Sequence, residues 1–357
     1  MRLQRLFDQV RFNCQVASAY QAGTYSLCGL LLRLRQLYKW QHGLLPWEEP
    51  EPAPVLDWVA AQEAAWETLA EKPWHPLDWG EGEDLEPFAV EAINHSLWPQ
   101  GLAYGAGYTR GLVPTFFLGE LEEVRREGEL TILVLGEELA RDLDATPALR
   151  QGPLIYARRE ALAFYLWERL ADPTQQNNAF LKIALAAYGL PLKELLKDPG
   201  GHEPCFAQFL AVELEAAVAH ERGEALEPAL KTVFPTLVES GGRVELWARA
   251  LKDALADVHE AGRLAFLIQT RGLASLALLL AWRPGLYPLL LPELEPAFRE
   301  LTAHGDWEVM EQARREAQQR LRRVATELEE LLRSPQDSRR LRREIQSRYL
   351  VPLGLLG

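Results

Sequence analysis

The chain has 357 residues, 48% of them hydrophobic and 25% charged, with three cysteines and a formal net charge of −13. These figures exclude a disordered chain, a collagen-like repeat, a disulfide scaffold and a basic coat for nucleic acid, and leave a globular protein with a large core. Arginines outnumber lysines 31 to seven, and methionine and cysteine are scarce, a usage that fits a thermophile or a GC-rich genome.

Residues 1–43 read as one or two helices. The opening MRLQRLFDQVRFNCQV carries charges throughout and has no apolar run of the kind a secretory signal needs. Leu30, Leu31, Leu34 and Leu37 then keep helical spacing as far as Gly43. Four prolines within LPWEEPEPAP make an extended connector. A helix over about Val55–Glu71 is predicted to bury Val59, Trp66 and Leu69 and to present Glu63, Glu67 and Glu71 to water.

Between about Gly101 and Gly136, β-branched and aromatic runs bounded by glycine and proline predict a small antiparallel sheet, with a hairpin at Arg126-Glu127-Gly128-Glu129. Helical patterns resume at GEELARDLDA and YARREALAFYLWERLAD and continue to a long helix over Trp307–Arg333. In that helix Met310, Ala317, Val324 and Leu331 interleave with Arg314, Leu321 and Leu328 as a heptad seam suited to packing against the protein's own body. An arginine-rich helix ends the chain. The expected fold class is mainly α: a multi-helix bundle or array with a small antiparallel β insertion at about 101–136. The expected domains are 1–150, with the N-terminal helices, an acidic Trp/Pro-rich arm and the small sheet, and 151–357, a helical domain. The apolar block Leu273–Leu291 is broken by Arg283, Pro284, Gly285 and Pro288, so a buried helix is expected there and no membrane span. Three thiols without a framework read as reduced residues of a cytoplasmic protein.

Two helix ends look alike: His220-Glu221-Arg222-Gly223 and His259-Glu260-Ala261-Gly262. Glu213 shares a face with His220, and Asp253, Asp257 and Glu260 share another, so a metal or acid/base site with His220, His259, Glu213, Asp257 and Glu260 can be drawn between helices. Neither histidine stands in Glu-x-x-His or continues into His-Glu-x-x-His. The competing reading is plain capping, with histidine at the negative end of each helix dipole and glycine as a left-handed stop, and no metal centre or cofactor is expected. The turn Gly105-Ala106-Gly107-Tyr108-Thr109-Arg110-Gly111 approaches a dinucleotide loop, but Pro114 follows where a helix should begin. Arg110 is its one candidate for holding an anion.

Charge is segregated. Residues 48–86 hold twelve acids against Lys72 alone, and seven of the eleven tryptophans (Trp40, Trp47, Trp58, Trp66, Trp74, Trp79 and Trp98) fall in the first hundred residues. Between Met310 and Tyr349 eleven arginines outnumber seven acids. Because those acids are interleaved with the arginines, nucleic-acid binding is disfavoured, and a protein partner or self-association through these two segments is the leading expectation.

The segments LCGLLLRLRQLYKWQHGLLPWEEPEP, YGAGYTRG, PTFFLGEL and YARREALAFYLWERL resemble a family of uncharacterised bacterial helical proteins of similar length. The resemblance implies no activity and carries over no functional residue. The expectation is therefore a non-enzymatic helical binding or assembly protein using the acidic Trp-rich segment and the basic C-terminal helix. The alternative is an enzyme or a metal- or cofactor-binding protein with its site between the β insertion and the helices ending at His220 and His259.

Overall fold

The β-branched and aromatic runs after Gly101 form strands, but the sheet they build is larger than the antiparallel insertion expected at 101–136 and differs from it in topology. The computed structural model describes residues 2–78, 84–109, 113–283, 285–333 and 338–355. By its internal contacts the chain divides into two units, Met1–Pro173 and Thr174–Gly357.

In the first unit, helices α1 (Arg2–Ala22), α2 (Leu27–Gln41) and α3 (Pro52–Leu69) precede a short ladder of β1 (Leu77–Asp78) with β2 (Asp84–Leu85), and then α4 (Val90–Leu97). Five strands follow: β3 (Leu102–Tyr108), β4 (Pro114–Glu127), β5 (Leu130–Arg141), β6 (Ala148–Gln151) and β7 (Leu154–Arg158), with α5 (Arg159–Ala171) after them. They pair in the order β3-β4-β5-β7-β6, antiparallel except for the parallel pair β5 and β7. The architecture is thus a curled mixed sheet with helices, which corrects the expected mainly-α bundle with a small antiparallel insertion.

Two segments read as helix are strand. Gly136–Arg141 consists mostly of good helix formers yet extends β5, and Tyr156–Arg158 belongs to β7. Buried charge overrides propensity here. Arg158 on β7 donates from Nε to Glu138 Oε1 on β5 at 2.5 Å, with both side chains fully buried. Arg141 places Nη1 3.6 Å from Glu138 Oε2. The Arg141 guanidinium lies 4.8 Å from the ring centres of both Trp40 and Phe164. Burial pushes Arg141 down to about 10, which leaves it charged at neutral pH. The strand pairing of β5 with β7 brings Arg158 to Glu138, and unpaired charge in that interior would cost several kcal/mol per ion.

Register shifts between Leu118 and Glu123 bend β4. The sheet curls until Leu149 of β6 reaches β3, where a Cβ on Gly107 would stand 3.4 Å from Leu149 Cδ2. Gly105, paired with Phe117 across the ladder, leaves the space that the Phe117 ring fills: a Cβ there would fall 2.0 Å from Cζ. The same ring lies 4.0 Å beneath the Arg158 guanidinium. Gly105 and Gly107, read from sequence as part of a turn, therefore serve the interior of a strand, while Arg110 and Gly111 lie outside the described residues.

One core cluster packs Leu6, Val10, Cys14 and Ala17 of α1 with Tyr104, Phe116, Phe117 and Leu133 of the sheet. A second cluster joins Leu34 and Leu37 of α2 to Val59 and Trp66 of α3 and to Leu143. The tryptophans of the acidic segment turn inward. Trp58 meets Tyr38 edge-on at 5.5 Å, Trp47 meets Trp167 at 5.8 Å and Trp74 meets Phe88 at 5.7 Å. Glu63, Glu67 and Glu71 face water, and Trp79 lies outside the described residues.

The second unit is helical: α6 (Ala179–Ala187), α7 (Leu192–Lys197), α8 (Glu203–Leu226), α9 (Phe234–Glu239), α10 (Gly242–Val258), α11 (Arg263–Gln269), α12 (Leu273–Ala281), α13 (Tyr287–Leu290), α14 (Leu294–His304), α15 (Trp307–Arg333) and α16 (Ser338–Ile345). α10 is its centre, packed by α8, α9, α11, α13 and α15. The α15 seam lies against α10, α11 and α14, burying Met310, Arg314, Ala317, Leu321, Leu328 and Leu331. Its arginines pair within the unit, Arg320 with Glu293 at 2.7 Å and Arg322 with Glu227 at 2.9 Å. The apolar block after Leu273 is mostly buried as α12, and among the described residues no single helix is long and apolar enough to cross a membrane.

Replacing Glu138 by Gln removes the charge that Arg158 and Arg141 share. Urea unfolding followed by tryptophan fluorescence is expected to show a loss of about 3–5 kcal/mol, and an unchanged midpoint would refute the dependence of the sheet on this pair.

Candidate functional site

Two glycines set the geometry at the polar centre of the second unit. α8 continues to Leu226, so His220 and Gly223 lie inside a helix that sequence spacing had ended there. A Cβ on Gly223 would fall 2.1 Å from the Ala256 carbonyl oxygen, and one on Gly262 would fall 2.0 Å from the same atom. Any side chain at either position would collide with that backbone. Neither glycine is a left-handed cap, since Gly223 is helical and Gly262 has φ −85°.

This close approach sets His220 of α8 opposite Asp257 of α10, with Nδ1 2.7 Å from Oδ1. The Tyr287 hydroxyl donates to the other carboxylate oxygen at 2.8 Å, and Arg263 Nε lies 3.7 Å from Oδ1. Burial pushes the Asp257 carboxyl up, but Arg263 and His220 outweigh it and hold the group at about 2. Burial also disfavours the charged imidazole of His220, yet the charge and hydrogen bond of Asp257 raise it above the ordinary histidine value. Burial and the neighbouring carboxylate push the Tyr287 hydroxyl well up, so it stays a proton donor.

One helical turn away on each helix stand two more carboxylates: Glu224, four residues after His220, and Asp253, four before Asp257. A ring nitrogen of His220 and one carboxylate oxygen from each of these residues lie within 4.8 Å of one another. Because Asp257 engages Nδ1, Nε2 is the nitrogen left for a ligand. The Lys252 ammonium bridges the two carboxylates, touching Glu224 and lying 3.3 Å from Asp253, with the Phe234 ring centre 5.8 Å away. An imidazole and two carboxylates make a donor set for a divalent cation, and the carboxylate behind the histidine is the outer partner that fixes ring tautomer and orientation at such sites.

The other residues named from sequence lie elsewhere in the unit. Glu213, seven residues before His220 on α8, accepts a hydrogen bond from Ser275 of α12 at 2.5 Å. Burial raises its carboxyl to about 7 against the opposing effects of Ser275 and Arg263. His259 ends α10, and its Nδ1 accepts the Ala261 N–H at 3.0 Å. Burial lowers it, so it serves as a neutral cap. Glu260 is 64% exposed, accepts from Gln318 of α15 at 2.8 Å and lies 3.5 Å from Arg322. His220 and Asp257 are therefore brought together, and His259 and Glu260 turn to α15 instead.

Reading for Glu-x-x-His missed Glu224, Lys252, Arg263 and Tyr287. The pattern present is His-x-x-x-Glu on α8 facing Asp-x-x-x-Asp on α10, and its i, i+4 spacing is visible in the sequence at residues 220, 224, 253 and 257.

Gly223→Ala forces the helices apart, and thermal unfolding is expected to report a loss of about 3 kcal/mol, the upper part of the overpacking range. Glu213 should make stability depend on pH. Its folded value of about 7 exceeds the ordinary 4.5, so its contribution is full below pH 4.5 and is lost as pH rises through about 7. Ser275, Arg263 and Tyr188 are the groups that face it. Glu213→Gln should therefore raise the free energy of unfolding at pH 8, by on the order of 1–2 kcal/mol for a half-buried group, and leave it unchanged at pH 4. Parallel melting curves for the two proteins at both pH values would disprove the assignment.

Compared with curated proteins and with solved structures, the chain finds no match. Two domains of a single family do match: the N-terminal domain of the family of unknown function DUF6866 over residues 5–158 and its C-terminal domain over residues 163–349. Together these spans take in nearly the whole sequence, and the chain belongs to the DUF6866 family, a family of unknown function.

Proposed function

We propose that this protein is a metal-binding protein, its divalent ion held between α8 and α10 by His220, Glu224 and Asp253. The observation that carries this reading is the convergence of three donor atoms within 4.8 Å, one of them on a histidine whose Nδ1 lies 2.7 Å from a buried carboxylate. One imidazole and two carboxylates suit zinc, manganese, cobalt or iron(II) better than calcium, which takes oxygen ligands. Three protein ligands leave coordination positions for water or substrate, and Asp253, half exposed, makes the site reachable from solvent. A bound ion there would polarise an oxygen ligand and lower the pKa of bound water. Lys252 is the cation that the incoming metal displaces. The free thiols of Cys14, Cys28 and Cys205 fit a reducing, cytoplasmic setting.

Isothermal titration of the chelator-treated full chain with zinc and with manganese tests the reading. One equivalent should bind, His220→Ala should lose binding, and Asp257→Asn should weaken it by about 10–100-fold with the stoichiometry kept. Lys252→Met should tighten binding several-fold, an effect that a purely structural ion pair would not produce. Binding by His220→Ala as strong as by the wild type would rule the site out.

A further inference from the structure

A cleft of about 620 Å³ opens within the first unit between α2 and α5. From α2 it is lined by Leu32, Arg33, Arg35 and Lys39, and from α5 by Tyr165 and Arg169 among others. Its volume is that of a site for a small organic molecule. Four cations line it against three carboxylates, Glu49, Glu168 and Asp172. Two of these are shared: Glu49 serves both Lys39 and Arg35, and Glu168 serves both Arg33 and Gln36.

Lys39 is the unusual member. It is 3% exposed, and the other six lysines, Lys72, Lys182, Lys193, Lys197, Lys231 and Lys252, are all more accessible. Its ammonium donates to the Pro46 carbonyl at 3.0 Å and to Glu49 Oε1 at 2.9 Å. That uses two of its three N–H donors. Burial and the neighbouring Arg35 lower it to about 8, so a usable fraction is neutral amine near physiological pH. A lysine that only tied the loop around Pro46 to α2 would not need to line a cleft rich in arginine.

We propose that this cleft binds a small organic anion, with its charged group received by Lys39, Arg33 and Arg35 and its apolar body lying against Leu32 and Tyr165. The site is separate from the metal centre proposed above, and neither reading depends on the other. Pyridoxal 5′-phosphate is a suitable probe because it is an aromatic phosphate that also reports on lysine. The amine nitrogen adds to its aldehyde carbon, water leaves, and added borohydride delivers hydride to the imine to fix a stable secondary amine. Peptide mass spectrometry then locates the label among only seven lysines.

If Lys39 is merely a structural strut, exposure dictates that it be labelled last. If the cleft is a binding site, Lys39 is labelled first, at least fivefold ahead of any other lysine at limiting reagent. Pyridoxal without the phosphate distinguishes capture of an anion from amine reactivity alone. The ratio of label on Lys39 to label on the other lysines should fall several-fold with it. Labelling in order of exposure, or an unchanged ratio between the two reagents, would overturn the proposal.

Discussion

The second unit depends on a contact between backbones, Gly223 against the Ala256 carbonyl. Helices carrying ordinary side chains keep their axes about 8–10 Å apart, and the absence of a Cβ at Gly223 allows a closer approach. The consequence falls on the residue next to Ala256. Asp257 becomes nearly inaccessible, and a buried carboxylate is tolerated only when paired and hydrogen-bonded. His220, Tyr287 and Arg263 meet that need from α8, α13 and α11. The same approach brings Glu224 and Asp253 level with each other one turn away. The polar centre is therefore a product of packing: a glycine with no chemistry of its own decides which titratable groups meet.

A second packing constraint explains the arginine in the α15 seam. Arg314 occupies a position where the heptad asks for an apolar residue, and it is 5% exposed. Its guanidinium makes a two-point contact with Glu311, at 2.8 and 2.7 Å, and Nη1 donates to the Val258 carbonyl at 2.6 Å. Val258 is the last residue of α10, whose final carbonyls lack helical partners. Arg314 thus supplies both a hydrogen bond and a positive charge at the negative end of that helix, and His259 closes the loop beyond with its own side chain. The two histidines at similar-looking helix ends differ because one helix stops and the other does not.

Much of the helical unit was legible: α15 and its inward seam follow from amphipathic spacing, and the buried helix α12 from an apolar run too short to span a membrane. The sheet was less legible because its decisive contacts join residues far apart in sequence. Gly136–Arg141 has the composition of a helix, and only the pairing of Glu138 with Arg158, 20 residues on, makes it a strand. The glycines of β3 suggested a loop because nothing local shows that Gly105 accommodates the ring of Phe117. At the candidate site, His220 and Asp257 were both visible as titratable residues on helix faces. That they face each other across 37 residues is set by Gly223 and Gly262, whose reading as caps was the natural local one.

Three buried arginines do what lysine could not. Arg141 lies between two aromatic rings, Arg158 lies over a third, and Arg314 grips a carboxylate at two points. A planar, permanently charged guanidinium can do these things, and an ammonium cannot. These three arginines act as fixed struts in the interior. Lysine does not take that role: Lys72, Lys182, Lys193, Lys197 and Lys231 are exposed. The two that are not, Lys39 and Lys252, each hold a compact charge against a carboxylate at the edge of a polar site. An ammonium on a flexible stem is the cation that can be displaced by a metal or give up its proton to react, and Lys252 and Lys39 are the two positions proposed for those roles.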